Sequence, residues 1–165
     1  SVLATDCFAR LGLEVEPFAA PTLGRLAALG LPPGTSIANP VDAPVGTLQQ
    51  EEGRVAERIL EAIYATAAPD ALVMHLNLSA FAGRTKDEVL DNLVQVALRV
   101  SGRYPGQAHF VLVLRSDGEP RLEERKRLFR AKAAALGIPV YDEIAEAGRA
   151  LAALAFHERF LSARA

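Results

Sequence analysis

Apolar residues recur at two spacings in this chain, and the two spacings alternate. Stretches with an apolar residue every three or four positions, which predict amphipathic helices, are separated by short runs in which nearly every residue is apolar. Residues 71–78 and 109–114 form the clearest runs, and such runs are typical of parallel strands covered by helices on both faces. The alternation predicts an α/β fold with a mainly parallel sheet.

Helices are predicted over residues 2–11, 21–29, 47–66, 85–102, 121–136 and 143–161. Gly12 is suited to end the first helix, and Pro21 is suited to the first turn of the second. Thr47 is the expected N-cap of the third, because acidic residues follow in its first turn. Thr85 and Glu88 have the spacing of a capping box, which predicts the start of the fourth.

Four strands are expected, and the sequence suggests where two of them lie in the sheet. Residues 13–18 are a strand candidate, residues 71–78 are expected to be central, and residues 138–141 suit a sheet edge because they contain a proline. A doubly wound domain usually opens with a strand, whereas Ser1 falls at the start of a helix. We therefore expect the first strand to be missing and the chain to be part of a longer polypeptide.

Composition narrows the class of protein. The 165 residues fit a single domain, and an apolar fraction of 50% with 23% charged residues excludes intrinsic disorder. A net charge of −2 gives no electrostatic reason to expect nucleic acid, and the single cysteine, Cys7, excludes an internal disulfide framework. Since the sequence has neither an apolar run of about 20 residues nor a signal peptide, we expect no membrane association and a cytoplasmic location.

Six segments, taken in order and at their spacing, resemble the NDP-forming acyl-CoA synthetases. They are SVLATD (1–6), LGLEV (11–15), LPPGTS (31–36), ANPVD (38–42), LGIPVY (136–141) and ALAAL (150–154). The most specific piece runs from Asn39 to Asp42. More narrowly, the chain is similar to the flavodoxin-like ligase-CoA domain of that family, which is itself similar to the C-terminal domain of the succinyl-CoA synthetase β subunit.

The resemblance implies a three-layer flavodoxin-like sandwich and a shared active site. The family converts a carboxylate, CoA and ATP or GTP, with Mg²⁺, into acyl-CoA, NDP and phosphate through a phosphorylated histidine. CoA-binding, phosphohistidine and ATP-grasp domains carry those tasks and are the implied partners, in a protein that is expected to form a homo-oligomer. The chain itself is expected to hold no catalytic residue, to bind no cofactor or metal alone, and to be inactive by itself.

Two places in the chain correspond to the substrate- and phosphate-facing wall that the resemblance implies. Ser1 and Val2 begin a helix, whose unpaired N–H groups can hold a phosphoryl oxygen. Pro40 stiffens the second place, a loop in which the Asn39 amide can donate to a carboxylate or phosphate and Asp42 can order the backbone. The alternative for Asn39 and Asp42 is an ordinary turn before a helix.

Residues that follow the predicted strands are second-tier candidates. Ser79 and the pair Asp117 and Gly118 come after strand ends, where open α/β sheets bind ligands. His75 is expected to be a hydrogen-bonded core histidine, and His109 and His157 are interpreted in the same way.

The remaining polar and reactive groups have simple structural explanations. Cys7 is interpreted as a small apolar residue on the buried stripe of the first helix. The charged stretch 121–132 mixes bases with acids and is interpreted as a solvated helix face. A non-catalytic interaction or assembly module with the same fold remains the alternative to the synthetase domain, since a fold does not determine a function.

Overall fold

Three parallel strands form the sheet of the computed structural model, which describes residues 2–48, 50–80 and 87–164. Strand β1 (Ala71–Asn77) pairs with β2 (His109–Arg115), and β2 pairs with β3 (Val140–Tyr141). The strand order is β1-β2-β3, so β2 is the central strand of the described sheet. The predicted edge position of the last strand is confirmed, but the prediction that residues 71–78 are central is wrong for this sheet.

Seven α-helices are described along the chain, and they confirm the predicted α/β class. They are α1 (Val2–Arg10), α2 (Ala20–Ala27), α3 (Val45–Leu48), α4 (Arg54–Thr66), α5 (Asp87–Arg103), α6 (Pro120–Ala134) and α7 (Ile144–Ser162). The parallel sheet with helices on both faces is consistent with a flavodoxin-like sandwich. The expected capping box at the start of α5 begins at Thr85, which lies outside the described residues. In the described segments, no helix is both long enough and apolar enough to cross a bilayer.

The two faces of the sheet are packed unequally. Even-numbered residues of β1 and β2, such as Leu72 and Leu112, join the larger core with buried side chains of α4, α5 and α6. Odd-numbered residues, such as Val111 and Val113, pack against Leu151 of α7 in a smaller cluster. Burial of this apolar surface is the main favourable term that holds the layers together.

Backbone hydrogen bonds show which way each strand presents its polar groups. The carbonyl oxygen of Asp70 accepts from the N–H of His109 at 2.9 Å, so even-numbered residues of β1 face β2. On the other side of β2, the N–H of Leu112 donates to the carbonyl of Pro139 at 3.1 Å. The odd-numbered peptide groups of β1 therefore point to its outer edge, where no described strand pairs with it.

Residues 13–18 do not form the predicted strand. The segment alternates half-buried and exposed residues as a strand would, with Leu13 packed against the smaller core and Phe18 against the larger one. No described strand pairs with it, however, and its carbonyl at Glu16 accepts instead from the Asn39 side chain at 2.8 Å. The apolar pattern was correct, but a strand also requires a neighbour with which to exchange backbone hydrogen bonds.

The long helix predicted over residues 47–66 is broken in the middle. Glu51, Glu52 and Gly53 have φ values of 52°, 58° and 89°, in the left-handed region that a right-handed helix cannot contain. Gly53 also lies close to α5, since an added Cβ would come within 3.4 Å of Val96 Cγ2. Thr47 is consequently not the N-cap of α4; it lies buried within α3.

Candidate functional site

The carboxyl ends of the three parallel strands meet at one edge of the sheet. β1 ends at Asn77, β2 at Arg115 and β3 at Tyr141, and polar residues follow or occupy each of these ends. Open α/β sheets bind their ligands at this edge, where the first turns of the following helices also lie. We therefore take the carboxyl edge as the candidate functional site.

The second-tier residues lie at this edge, as the sequence predicted. Ser79 belongs to the short 3₁₀ turn after β1, and its hydroxyl is buried without a hydrogen-bond partner in the described structure. Asp117 follows β2, where its carboxylate accepts from the N–H of Glu119 at 3.2 Å. Gly118, with φ of 88°, lets the chain turn into α6.

A buried lysine holds together one side of the edge. Lys126 of α6 is only 9% exposed, and its Nζ lies 2.8 Å from Glu123 Oε1 and 3.2 Å from Asp142 Oδ1. It also donates to the hydroxyl of Ser116 at 3.3 Å, and that hydroxyl donates to Glu123. The Lys126 cluster, defined as Ser116, Glu123, Lys126 and Asp142, therefore connects the segment after β2 to the segment after β3.

The charges in the Lys126 cluster are mutually compensated. Burial lowers the pKa of Lys126, but hydrogen bonds and charges from Glu123 and Asp142 outweigh it, so this pKa lies above its usual value. The hydrogen bond from Lys126 in turn lowers the pKa of Glu123. Asp142 also pairs with Arg130 at 2.8 Å. Because each cation here faces a carboxylate, we interpret the cluster as a structural connection and not as a vacant binding site.

The opposite face of the same edge is more open. His75, Asn77 and Arg115 are odd-numbered strand residues, so their side chains lie on the α7 side of the sheet, and all three are exposed. Arg115 Nε lies 3.6 Å from an oxygen of Glu143, the residue before α7. Partial removal from water lowers the pKa of His75; the charge of Arg115 adds to this effect and Glu143 opposes it.

The three histidines are not core residues, and that prediction is wrong. His75 is exposed because it lies near the end of an edge strand, beyond the part that α7 covers. His109 is 46% exposed on its side chain, and its Nε2 lies 2.8 Å from Glu158 of α7. His157 lies on an exposed turn of the same helix.

The loop from Ser36 to Asp42 has an internal structure of its own. Ser36 and Asp42 exchange two backbone hydrogen bonds of 2.8 and 3.0 Å, and the peptide bond between Asn39 and Pro40 is cis. Asn39 donates its side-chain N–H to the carbonyl of Glu16 rather than projecting it toward a ligand. The described contacts of Asn39 thus join this loop to residues 13–18, and none of them reaches Ser79 or Asp117.

The helix start that was expected to face phosphate is only partly described. Ser1 lies outside the described residues, and Val2, the first residue of α1, is 74% exposed. The other end of α1 packs against α7, where an added Cβ on Gly148 would come within 2.7 Å of Leu11 and 3.1 Å of Phe8. The helix has no fully buried residue, so Cys7 is half-buried and not on a fully buried stripe.

A cavity of about 490 Å³ lies at the opposite, amino edge of the sheet. Its walls come from the end of α5, the start of β2, the turn between α6 and β3, and the middle of α7, and they are mostly apolar. Its polar side chains are those of Ser101, Tyr104, His109 and Tyr141. Because the described lining contains no Asp, Glu, Lys or Arg, we keep the carboxyl edge as the candidate site.

Sequence reasoning missed several polar residues of the carboxyl edge. Lys126 was assigned to a solvated face, although the structure buries it, and Asp142 was not selected although it directly follows a predicted strand. Arg115 and Asn77, at two strand ends, were also passed over. Position after a predicted strand could have identified Asp142 and Arg115, whereas Asn77 lies within the predicted strand 71–78. In the described part of the chain, no group of three His, Cys, Asp or Glu side chains is arranged to hold a metal ion.

Comparison with known proteins identifies no family, because no family model, no curated protein and no solved structure matches the chain.

Proposed function

We propose that this chain is the flavodoxin-like domain of an NDP-forming acyl-CoA synthetase. In this proposal it supplies the wall that faces the acyl substrate and the phosphohistidine, whereas CoA and ATP or GTP with Mg²⁺ bind to partner domains. Support comes from the ordered sequence resemblance and from the three-strand parallel sheet, which is compatible with a flavodoxin-like domain. The proposal predicts that the chain by itself is inactive.

The observation that carries the proposal is the buried Ser79 hydroxyl in the turn after β1, at the carboxyl edge. The buried hydroxyl of Ser79 lacks a partner in the described structure, and a substrate oxygen would satisfy it. Asn39 has a different role here from the one its sequence suggested, because its amide is bound to Glu16. Within the proposal Asn39 is a positioning residue, which fixes the loop containing Pro40 and Asp42 against residues 13–18.

The experiment starts from the natural polypeptide that contains this segment. Its intact mass is measured first, and phosphate release is then assayed with combinations of carboxylate, CoA and nucleotide. We expect a mass several-fold above 17.6 kDa and phosphate release that requires all three substrates. A natural mass near 17.6 kDa, or no release with a panel of short carboxylates, would contradict the proposal.

Two serine variants then test the site. Ser79→Ala is expected to raise KM for the carboxylate, because it removes a hydroxyl at the strand end. Ser162→Ala is the matched control, since Ser162 is exposed at the far end of α7. Equal kinetics for the two variants would remove Ser79 from the site without contradicting the activity of the whole protein.

An assembly module is the second candidate, and one surface favours it. Phe156, Phe160 and Leu161 are 67%, 44% and 53% exposed on the last turns of α7. Exposed aromatic residues grouped on one helix are typical of contact surfaces. If this candidate is correct, the protein self-associates in sedimentation experiments, and Phe156→Ser with Phe160→Ser makes it monomeric; a monomeric wild type would contradict it.

A further inference from the structure

Three polar side chains form a small patch on the α7 side of the carboxyl edge. The strand register places Asn77 directly beside Arg115, and His75 beside Val113 two residues earlier. Neighbouring strands lie about 4.8 Å apart, and two residues span about 6.6 Å along a strand. The Cα atoms of His75, Asn77 and Arg115 therefore lie within about one strand spacing and two residues of each other.

The hydrogen-bonding capacity of this patch is largely unused in the described structure. The contact between Arg115 and Glu143 is 3.6 Å from Nε to Oε1, which is too long for a hydrogen bond. No partner is described for its two terminal nitrogens, for the Asn77 amide or for the His75 ring. In the Lys126 cluster, by contrast, every charged group has a partner within 3.3 Å.

The end groups of these three side chains are suited to bind an oxyanion. A guanidinium offers two parallel N–H groups that match the oxygens of a carboxylate or phosphate, and an amide adds a further N–H donor. A neutral imidazole also donates one hydrogen bond. A cation would be repelled by the positive charge of Arg115.

We propose that His75, Asn77 and Arg115 bind a small oxyanion, a carboxylate or a phosphate group, on the α7 face of the carboxyl edge. Glu143 pairs weakly with Arg115 in the unliganded protein and gives way to the ligand. This site is independent of the synthetase proposal, because it needs only the three side chains and their sheet register.

The test is an NMR titration of the purified chain with ¹³C-labelled histidine and ¹⁵N-labelled asparagine side chains. Sodium phosphate and sodium acetate are added in separate titrations at constant ionic strength, and sodium chloride serves as the blank. We expect saturable shifts of the His75 ring and the Asn77 amide, with His157 unchanged as an internal control. Saturation by phosphate alone, by acetate alone or by both identifies the accepted oxyanion and supports the site.

Variants decide whether the shifts report this site. Arg115→Gln is expected to weaken binding by about ten- to a hundredfold, because it removes a charge-assisted hydrogen bond. Glu143→Gln is expected to tighten binding several-fold because it removes the competing carboxylate, and it also tests the site if the arginine variant fails to fold. Arg127→Gln, at an exposed position of α6, is the charge-matched control. Shifts that do not saturate, that appear equally at His157, or that are the same in all the variants would overturn the proposal.

Discussion

Lys126→Met is the sharpest test of how the carboxyl edge is held together. Methionine keeps most of the length and apolar volume of lysine but removes the ammonium group. The substitution leaves Glu123 and Asp142 facing each other without the cation that now lies 2.8 Å and 3.2 Å from them. We expect the segments after β2 and β3 to separate locally and the protein to lose stability.

The size of the effect depends on how well water can replace the lysine. A hydrogen bond to a charged group contributes about 1.5–3 kcal/mol, and breaking a fully buried pair costs about 3–5 kcal/mol. Here the side chains of Glu123 and Asp142 are 35% and 50% exposed, so both carboxylates are partly rehydrated. Asp142 also keeps Arg130. We therefore expect a loss of about 1–3 kcal/mol, which is about 2–12 °C in Tm for a chain of this size.

Urea unfolding followed by circular dichroism measures this loss, with Lys132→Met as the matched control. Lys132 is exposed on the same helix, so its substitution should change stability by less than about 0.5 kcal/mol. The wild type should also lose stability as pH rises above 10.5, because its folded state binds the Lys126 proton more tightly than the unfolded chain does. Equal stabilities of the two variants, or an unchanged alkaline limb in Lys126→Met, would refute this account.

Three further predictions concern the core, the docking of α1 and the acid limb. Leu112→Ala, at a fully buried position of the central strand, should cost about 2–5 kcal/mol in urea unfolding; a cost below 1 kcal/mol would contradict the described packing. Gly148→Ala should loosen α1 slightly, at a cost of about 1 kcal/mol, because a Cβ would lie 2.7 Å from a Leu11 methyl group that must move aside and 3.1 Å from the Phe8 ring. Faster proteolysis within α1 is the readout, and unchanged cleavage would oppose this prediction. Burial raises the pKa of Glu57, but two arginines of α5 outweigh this effect and lower that pKa below 4.5. Glu57→Gln should therefore flatten the loss of stability on acidification below pH 4.5. An unchanged acid limb would argue against this pairing.

The sequence predicted the elements of the fold better than their connections. Apolar runs identified β1 and β2 because buried parallel strands need apolar residues on both faces. The alternating pattern of residues 13–18 did not give a strand, since pairing depends on a neighbour that local sequence does not reveal. The break at Glu51 and Glu52 was also missed, because glutamate ordinarily favours helix and nothing in its sequence indicates a positive φ.

At the candidate site, position was predictable and partners were not. Ser79 and Asp117 were placed correctly at strand ends, because all strands of a parallel sheet end at one edge. Asn39 was expected to face a ligand, but its contact with Glu16 spans 23 residues and could not be derived from spacing. Lys126 and Glu123 are a local pair on α6, but the contacts of Lys126 with Asp142 and Ser116 exist only once the sheet has formed.

Because β1 is paired on one side only in the described sheet, successive backbone amides of this strand should exchange with deuterium at alternately slow and fast rates. Amides of Leu72, Met74 and Leu76 are directed toward β2 and should exchange with deuterium slowly, whereas those of Val73 and His75 are directed away from it and should exchange quickly. The exchange rates of these amides therefore show whether the outer edge of β1 is paired. If another strand ever pairs there, in an assembly or in a longer polypeptide, the fast amides become slow and the alternation disappears.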